Sequence, residues 1–416
     1  MSTTATPEVL PISMGNRIEY LDILRGISIL FIFIANIYFL SGWNFMGKEL
    51  NASFSGSAIN HAIETFTTIF VDGKFYSLFS ILFGIGFAVQ FTNMEKSNRP
   101  FVPFFAKRML GLLLFGLFHL FFMWPGDILT LYALLGLVLI TFRKTSNKGL
   151  LITAIILITL PILNWLLMLK VGFYPYILFD KVQEFWVAHD LPLRDWNGSG
   201  QESFDPYYML KVESFSEFLM INLRMPSLRL GLILLEGRIF KVLALFLIGF
   251  WAGKQIVNHD LLKNVALLRK ITIVGFSFGI PFNFLRSYSE SQSGEFWEFM
   301  VYISYALGVI PMACAYAASI ALLLKNSWTG LNWFAPVGRM ALSNYLFHTF
   351  ISLILFYGFG FGMAGKLPLW EIMLLVIPIF GWQIIFSSWW LAKFKFGPME
   401  WIWRQMTYGK YMTLKK

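Results

Sequence analysis

A histidine and an aspartate on either side of a predicted hairpin are the residues of this sequence best suited to acid–base chemistry. His119 precedes Asp127 by eight positions, and Trp124-Pro125-Gly126 between them indicates a tight turn. Because a short hairpin brings its two ends together, we expect the Asp127 carboxylate to orient the His119 imidazole. An imidazole held in this way can act as a general base near neutral pH. We therefore predict both residues as catalytic, the alternative being a buried histidine bonded to a backbone carbonyl.

A second polar group lies near the start of the chain, on one apolar segment. Asp22 and Arg25 are three residues apart, so they share one face of a helix and can form an ion pair. Asn36 follows eleven residues after Arg25, which places it about 16 Å deeper along the helix. Polar side chains at such depth usually pair or serve a function. All three are therefore candidate substrate-binding residues, with an anchoring ion pair as the alternative for Asp22 and Arg25.

A third polar group lies in the C-terminal part of the chain. Arg339, Ser343 and His348 are spaced four and five residues apart and should lie broadly on one side of a helix. Arg339, Asn344 and His348 are candidate substrate-binding residues. Hydrogen bonding between neighbouring helices is the alternative role for this group.

Two further charged pairs lie at the ends of apolar segments. They are Asp72 with Lys74 and Glu236 with Arg238, each separated by one glycine. We interpret both as ion pairs at the membrane interface.

The elements that must position these groups are strongly apolar. The chain has 416 residues, of which 57% are hydrophobic and 13% charged, about half of the ~25% charged residues usual in soluble domains. Its mean hydropathy is +0.64. This composition excludes a soluble globular enzyme, a disordered regulator and a disulfide-built secreted domain. The single cysteine, Cys314, cannot form an intramolecular disulfide or a cysteine-based zinc site, and we predict no metal site.

Ten apolar runs approach the length of about 20 residues that a membrane span needs. The sequence therefore predicts an all-α, polytopic membrane bundle of about ten transmembrane helices. The predicted spans are 23–42, 67–91, 108–124, 127–142, 149–169, 239–257, 270–286, 299–324, 339–358 and 370–392.

The spans divide the chain into three regions. Residues 1–22 form a cytoplasmic segment, 23–258 an N-terminal membrane region, and 259–416 a C-terminal membrane region. The one long connection, 170–238, is predicted to lie outside and to contain interfacial helices that cap the outer face.

The charge distribution gives the orientation. If the N-terminus is cytoplasmic, most of the 33 lysines and arginines fall in inner segments, while the outer segments are net acidic. This is the bias that membrane insertion produces. The net charge of +10 is therefore a topology signal, and nucleic acid is excluded as a partner.

The ordered motifs resemble those of the YeiB-like bacterial membrane proteins, and the C-terminal third resembles that family's domain of unknown function 418. The resemblance implies a multi-pass protein of the bacterial inner (plasma) membrane, and the ten spans with their charge bias predict that both termini are cytoplasmic. The motifs are Leu21–Gly26 with Asn36, Lys74–Gly86, His119 with Gly126-Asp127, Gly338–Leu346, Phe356–Gly360, Gly397–Arg404 and Thr407–Gly409.

The opening helix is also similar to that of transmembrane acyltransferases. The heparan-glucosaminide N-acetyltransferase type carries the pattern that Asp22, Arg25-Gly26 and Asn36 match. The acyltransferase-3 type has Arg-x10-His, in which Arg25 matches but Asn36 replaces the histidine. The acyl-accepting histidine of the heparan type falls on Gly47 here, so the resemblance implies that His119 takes over its role.

Two functions fit these residues, and a structural or partner-binding role is a third alternative. The resemblance implies an acyltransferase-like enzyme that moves an acyl group from cytoplasmic acyl-CoA to a lipid or glycan acceptor at the outer face. It implies no tightly bound cofactor, with acyl-CoA as co-substrate and membrane lipids as further partners. Arg25, Arg108 or Arg339 would bind the phosphates of acyl-CoA. Asn36 would form a hydrogen bond with the thioester carbonyl of acyl-CoA. The alternative is a transporter or permease that uses the same residues as a substrate path.

The predicted orientation can be measured with reporter fusions. Fusions after Lys96, Lys144 and Lys325 are expected to report cytoplasm, because these residues lie in basic inner segments. Fusions after Asn197 and Ser291 should report the outer side. A reproducible inversion at any of the five sites would contradict the predicted order of spans.

Overall fold

The computed structural model describes residues 18–172, 174–189, 212–326 and 328–416, and in these ranges the chain is helical. The described ranges contain no β-sheet, and one isolated antiparallel bridge joins Phe394 and Lys415. The predicted all-α fold class is confirmed. Most of the predicted segment 1–22 lies outside the described residues, as does the middle of the 170–238 connection.

The helices of the described ranges follow one another with short connections. In chain order they are α1 (Glu19–Leu40), α2 (Lys48–Ser53), α3 (Ser57–Phe70), α4 (Lys74–Lys96), α5 (Phe101–Phe122), α6 (Leu129–Leu139), α7 (Asn147–Val171), α8 (Ile177–Ala188), α9 (Phe215–Asn222), α10 (Met225–Leu235), α11 (Arg238–His259), α12 (Val265–Glu290), α13 (Glu295–Ser304), α14 (Ile310–Lys325), α15 (Phe334–Arg339), α16 (Ala341–Phe356), α17 (Leu369–Lys393) and α18 (Pro398–Tyr408).

Eight helical segments of the described ranges are long and apolar enough to cross a membrane, and each coincides with a predicted span. The helices α3 and α4 form one such segment, Ser57–Lys96. The helices α13 and α14 form another, joined by the π-helical turn Tyr305–Val309. The architecture is that of a polytopic membrane bundle.

The two remaining predicted spans are shorter or interrupted. The helix α6 has 11 residues, about 17 Å, which is less than the ~30 Å of membrane hydrocarbon. The predicted span 339–358 is broken at Met340, whose φ of −111° and ψ of 33° are not helical. Because of this break, Arg339 ends α15 while Ser343 and His348 lie on α16. The expectation that these three side chains share one helix face is wrong.

The connection 170–238 is helical where it is described. It contains α8 and the pair α9 and α10, which meet at an angle of 45° and together have the length and apolarity of one bent span. These helices were predicted only as interfacial caps. The contact of α10 with the functional site, described below, gives that helix a further role.

Stacked and edge-on aromatic rings fill the core between α4, α5 and α11. The ring of Phe87 meets the edges of Phe101, Phe105 and Phe250 at centroid distances of 5.1, 4.9 and 4.9 Å. Such T-shaped pairs match the positive ring edge to the negative ring face. The packing fixes α4 against α5 and α11.

Two glycines allow α1 and α15 to cross in backbone contact. A Cβ atom on Gly338 would lie 1.8 Å from the Asp22 carbonyl oxygen, and one on Gly26 would lie 2.0 Å from the Phe334 carbonyl oxygen. Small residues permit this approach between helices in a membrane. The crossing places Arg25 and Arg339, the neighbours of these glycines in sequence, on adjoining helices.

Gly338→Ala is expected to lower the free energy of unfolding by about 1–3 kcal/mol, because the added methyl group forces the two backbones apart. The measurement is SDS-induced unfolding in mixed micelles. Gly381→Ala is the matched control, since a Cβ atom at this helical glycine of α17 has no neighbour within 4 Å. Equal stability of the two variants would contradict a close crossing.

Candidate functional site

A large cavity runs through the bundle and connects most of the predicted site. Its volume is about 1290 Å³, and its walls come chiefly from α1, α4, α5, α10 and the C-terminal helices α15, α16 and α18. Lining residues follow α4 from Asp72 at its start to Ser97 after its end, a rise of about 35 Å. The cavity therefore extends along nearly the full length of a membrane span.

One end of the cavity, which we name the basic end, is rich in arginine. Two carboxylates, Asp22 and Glu400, also line it. The cations that line this end are Arg25, Lys96, Arg99, Arg108, Arg339 and Arg404. Positive charge is therefore in excess at this end of the cavity.

The predicted pair at the start of α1 is formed. Arg25 Nη1 lies 3.0 Å from Asp22 Oδ1, and the Asp22 side chain is nearly fully buried. About a quarter of the Arg25 side chain remains exposed. The pair fixes one edge of the Arg25 guanidinium at the cavity wall.

The helix α18 closes the basic end. The Arg108 guanidinium lies 3.9 Å from the centre of the Trp403 ring, whose Nε1 donates to the Arg108 carbonyl at 2.7 Å. Glu400 Oε1 accepts hydrogen bonds from the backbone N–H groups of Leu342 and Ser343 at 2.8 and 3.1 Å. Burial raises the pKa of the Glu400 carboxyl. The two hydrogen bonds to Glu400 Oε1 cap the start of α16.

The middle of the cavity is apolar and aromatic, with Asn36 as a polar exception. Ile32, Phe79, Phe83 and Leu112 contribute to its walls. Asn36 lines the cavity and is half-buried, and among the described residues its amide has no hydrogen-bond partner. The Asn36 amide is therefore available to a bound molecule.

His119 and Asp127 form the pair that the hairpin predicted, and Thr349 extends it. His119 Nδ1 lies 2.9 Å from Asp127 Oδ1, and His119 Nε2 lies 2.9 Å from Thr349 Oγ1. All three residues are buried, with His119 fully so. This is the order of groups in an acid–base–hydroxyl triad, in which the carboxylate orients the imidazole towards a hydroxyl.

Both the carboxylate and the backbone carbonyl of Asp127 accept hydrogen bonds from neighbouring groups. Its carboxylate accepts from the N–H groups of Leu129 at 3.1 Å and Thr130 at 2.7 Å, which caps α6. Its backbone carbonyl accepts from Arg229 Nε and Nη2 at 3.1 and 2.9 Å. The Asp127 position is therefore fixed by α5, α6 and α10 together.

The triad lies behind the cavity wall, and its side chains are not part of the lining. At the end of the cavity away from the basic end, which we name the opposite end, the wall comes from the hairpin residues Trp124, Pro125 and Gly126 together with Arg229 and Tyr345. The Tyr345 ring centroid lies 5.2 Å from that of His119. One layer of side chains and hairpin backbone thus separates the imidazole from the cavity.

Asn344 and His348 lie away from the cavity, in the contact between α16 and α17. His348 Nε2 is 2.8 Å from Gln383 Oε1, and its ring stacks on Phe33 at 4.0 Å. Asn344 Nδ2 donates to Ser387 Oγ at 3.1 Å. These contacts are hydrogen bonds between neighbouring helices, which is the alternative to substrate binding that the sequence left open for Asn344 and His348.

The two charged pairs predicted at the interface differ in structure. Glu236 and Arg238 pair with each other at 2.5 Å. Asp72 instead bonds Arg286 of α12 at 2.5 Å, while the fully buried Lys74 donates to the Thr68 carbonyl at 2.6 Å. The expected ion pair of Asp72 with Lys74 is therefore replaced by a contact with α12.

Sequence reasoning missed Thr349 and Arg229. Arg229 had a readable signal, since it is one charge within the apolar run 228–235, and such arginines usually have a partner. Thr349 gave no signal, because a threonine within an apolar helix is common. In the described residues there is no group of three or more His, Cys, Asp or Glu side chains that could hold a metal ion.

An all-helical bundle with membrane-length helices around a long, partly charged cavity defines a polytopic membrane protein. Residues 252–410 match the model of a family described as a protein of unknown function, DUF418. The chain is therefore similar to the YeiB-like proteins, as its motifs predicted.

The relatives match nearly the whole chain. It is 29% identical to the uncharacterized protein YxaH of Bacillus subtilis, over 98% of both chains. It is 28% identical to an uncharacterized 39.9 kDa protein of Bacillus acidopullulyticus, over 96% of both chains. It is 28% identical to the uncharacterized protein YeiB of Escherichia coli, over 93% of this chain and 95% of that protein. No solved structure matches the chain.

Asp127→Asn is expected to lower the free energy of unfolding by about 1–3 kcal/mol, because an amide nitrogen would face a buried N–H donor and leave it unsatisfied. SDS-induced unfolding in mixed micelles measures the change. The control is Asp260→Asn, whose carboxylate is 69% exposed, and which should stay within about 0.5 kcal/mol of the parent. An equal effect at both positions would show that Asp127 is not organising the hairpin.

Proposed function

We propose that the protein is a transmembrane acyltransferase that moves an acyl group from cytoplasmic acyl-CoA to an acceptor at the outer face of the bacterial plasma membrane. The observation that carries the proposal is the continuous cavity. It joins an excess of arginine at one end to the wall that covers Asp127, His119 and Thr349 at the other.

The basic end suits the phosphate groups of a coenzyme A thioester. Arginine presents a planar set of N–H donors that can bond two phosphate oxygens at once. Arg25, Arg108 and Arg339 are drawn together there by the α1–α15 crossing and by α18. The predicted orientation of the spans turns this end towards the cytoplasm, where acyl-CoA is found.

The middle of the cavity suits the rest of the donor. Its apolar walls would accept an acyl chain, and the Asn36 amide would donate a hydrogen bond to the thioester carbonyl. Such a donor stabilises the negative charge that develops on the carbonyl oxygen during attack. Asn36 is close to Phe33 in sequence, and Thr349 follows His348. Because the Phe33 ring stacks on the His348 ring, we infer that Asn36 and the triad lie at similar depth.

The triad supplies acid–base chemistry in the proposal. Asp127 fixes the His119 tautomer, and Nε2 accepts the proton of an acceptor hydroxyl while its oxygen attacks the thioester carbonyl. The carbon–sulfur bond then breaks, and the proton passes from His119 to the sulfur of coenzyme A. The acceptor hydroxyl takes the place at Nε2 that Thr349 holds in the structure. Direct attack by Nε2, with an acyl-histidine intermediate, is a second route.

A transporter for an amphipathic anion is the second candidate function. The observation that favours it is the length of the cavity, whose lining is charged at both ends and apolar between them. Substrate and proton paths in transporters use intramembrane polar residues of the same kinds. The two functions differ in whether a covalent acyl transfer occurs.

His119→Ala is expected to lower the rate of acyl transfer by about 10²–10⁴-fold, the usual contribution of a general base. The measurement is transfer of labelled acyl groups from acyl-CoA to envelope lipids or glycans by protein in nanodiscs. Coenzyme A binding should be unchanged in this variant, whereas Arg25→Lys should weaken it about tenfold by losing the two-pronged contact with phosphate.

The control for this experiment is His348→Gln, because a glutamine amide can keep the hydrogen bond to Gln383 and retain activity. Activity that survives His119→Ala but is lost with His348→Gln would move the catalytic role to α16. Absence of coenzyme A binding, together with solute uptake driven by a pH gradient, would favour the transporter.

A further inference from the structure

A second concavity, which we name the lateral groove, opens on the outer surface of the bundle. It has a volume of about 400 Å³ and lies between α1, the α3–α4 segment and α14. Its size falls within the roughly 300–1,000 Å³ of typical ligand clefts. The proposed chemistry does not use it.

The groove offers hydrocarbon contacts and almost no free polar group. Its lining is apolar or aromatic except for the side-chain oxygens of Tyr316 and Ser319. The Tyr316 hydroxyl donates to the Phe70 carbonyl at 3.0 Å, and the Ser319 hydroxyl donates to Thr272 Oγ1 at 3.4 Å. A ligand for this groove must therefore be apolar.

The surroundings of the groove identify the ligand. All three helical segments around it have the length and apolarity of membrane spans, so the medium outside is lipid hydrocarbon. Phe66 and Leu323 at the groove are 56% and 40% exposed to that medium. In a bilayer, the apolar molecule next to this groove would be the hydrocarbon chain of a lipid.

The lateral groove and the central cavity share a wall. Phe31, Val71 and Phe75 line both spaces. The Phe31 and Phe75 rings stack at a centroid distance of 4.1 Å, with an angle of 13° between their planes. A stacked pair of side chains can separate by rotation about χ1 without breaking a hydrogen bond. The stacked pair of Phe31 and Phe75 therefore forms a thin partition between the lateral groove and the central cavity.

We propose that the lateral groove binds the hydrocarbon chain of a membrane lipid, and that the Phe31–Phe75 pair is where this chain passes into the central cavity. The inference rests on the proposed acyl transfer and narrows its acceptor to a lipid of the surrounding bilayer. The lipid enters sideways, while the anionic donor enters through the basic end.

Photocrosslinking in nanodiscs tests the groove. The probe is a phosphatidylglycerol with a diazirine in mid-chain, and the crosslinked positions are read by mass spectrometry. Ile320 in the groove is expected to crosslink at least threefold more than Ile377 of α17, although Ile377 is 67% exposed and Ile320 is partly buried. Ser319→Trp should fill the groove and remove this excess. Equal or lower crosslinking at Ile320 would overturn the binding site.

The passage is tested by opening the partition. Phe31→Ala and the milder Phe31→Leu are expected to raise crosslinking at Phe79 and Phe83, inside the cavity, at least threefold. Phe278→Ala is the control, because Phe278 is an exposed phenylalanine of α12 outside both spaces. Unchanged cavity crosslinking in both Phe31 variants would overturn the passage. Crosslinking of the groove to a second copy of the chain would overturn the lipid as its occupant.

These results are separable from the proposed acyl transfer. Groove and cavity crosslinking without any acyl transfer would leave the lipid site standing and contradict the enzyme. Acyl transfer to a water-soluble acceptor without crosslinking would support the enzyme and overturn the lipid site.

Discussion

The position of Asp127 is the constraint on which the opposite end of the cavity depends. Its carboxylate bonds His119 of α5 and the first amides of α6, and its carbonyl accepts two bonds from Arg229 of α10. Through His119 the network reaches Thr349 of α16. Because membrane hydrocarbon offers no water to replace a lost bond, the four helices must keep the arrangement that satisfies this one residue.

The two ends of the cavity balance their charges differently. At the opposite end the lining contains two cations, Arg229 and Arg238, and two carboxylates, Asp72 and Glu236, and Arg238 pairs directly with Glu236. At the basic end six cations face two carboxylates, and one of these, Glu400, is bonded to the start of α16. The resulting excess of positive charge gives the cavity a polarity along its axis, which favours entry of an anion from one side.

Hydropathy, residue spacing and turn length predicted the features of this structure that depend on residues close together in sequence. Hydropathy located eight full-length spans, spacing gave the Asp22–Arg25 pair, and the short hairpin gave the contact of His119 with Asp127. The contacts of Thr349 with His119 join positions 230 residues apart, and no local pattern encodes them. The break at Met340 was missed although Pro336 and Gly338 precede it, because neither residue stands at the break itself.

The cap that Glu400 provides for α16 also bears on how the protein is made. The Leu342 and Ser343 amides precede their acceptor by 58 and 57 residues, so α16 leaves the ribosome well before the cap exists. At about 5–20 residues per second, the delay is several seconds. Water or a lipid headgroup must satisfy these amides during that interval. The start of α16 is thus capped only after α18 has been made, and a chain truncated before Glu400 would lack this acceptor for the Leu342 and Ser343 amides.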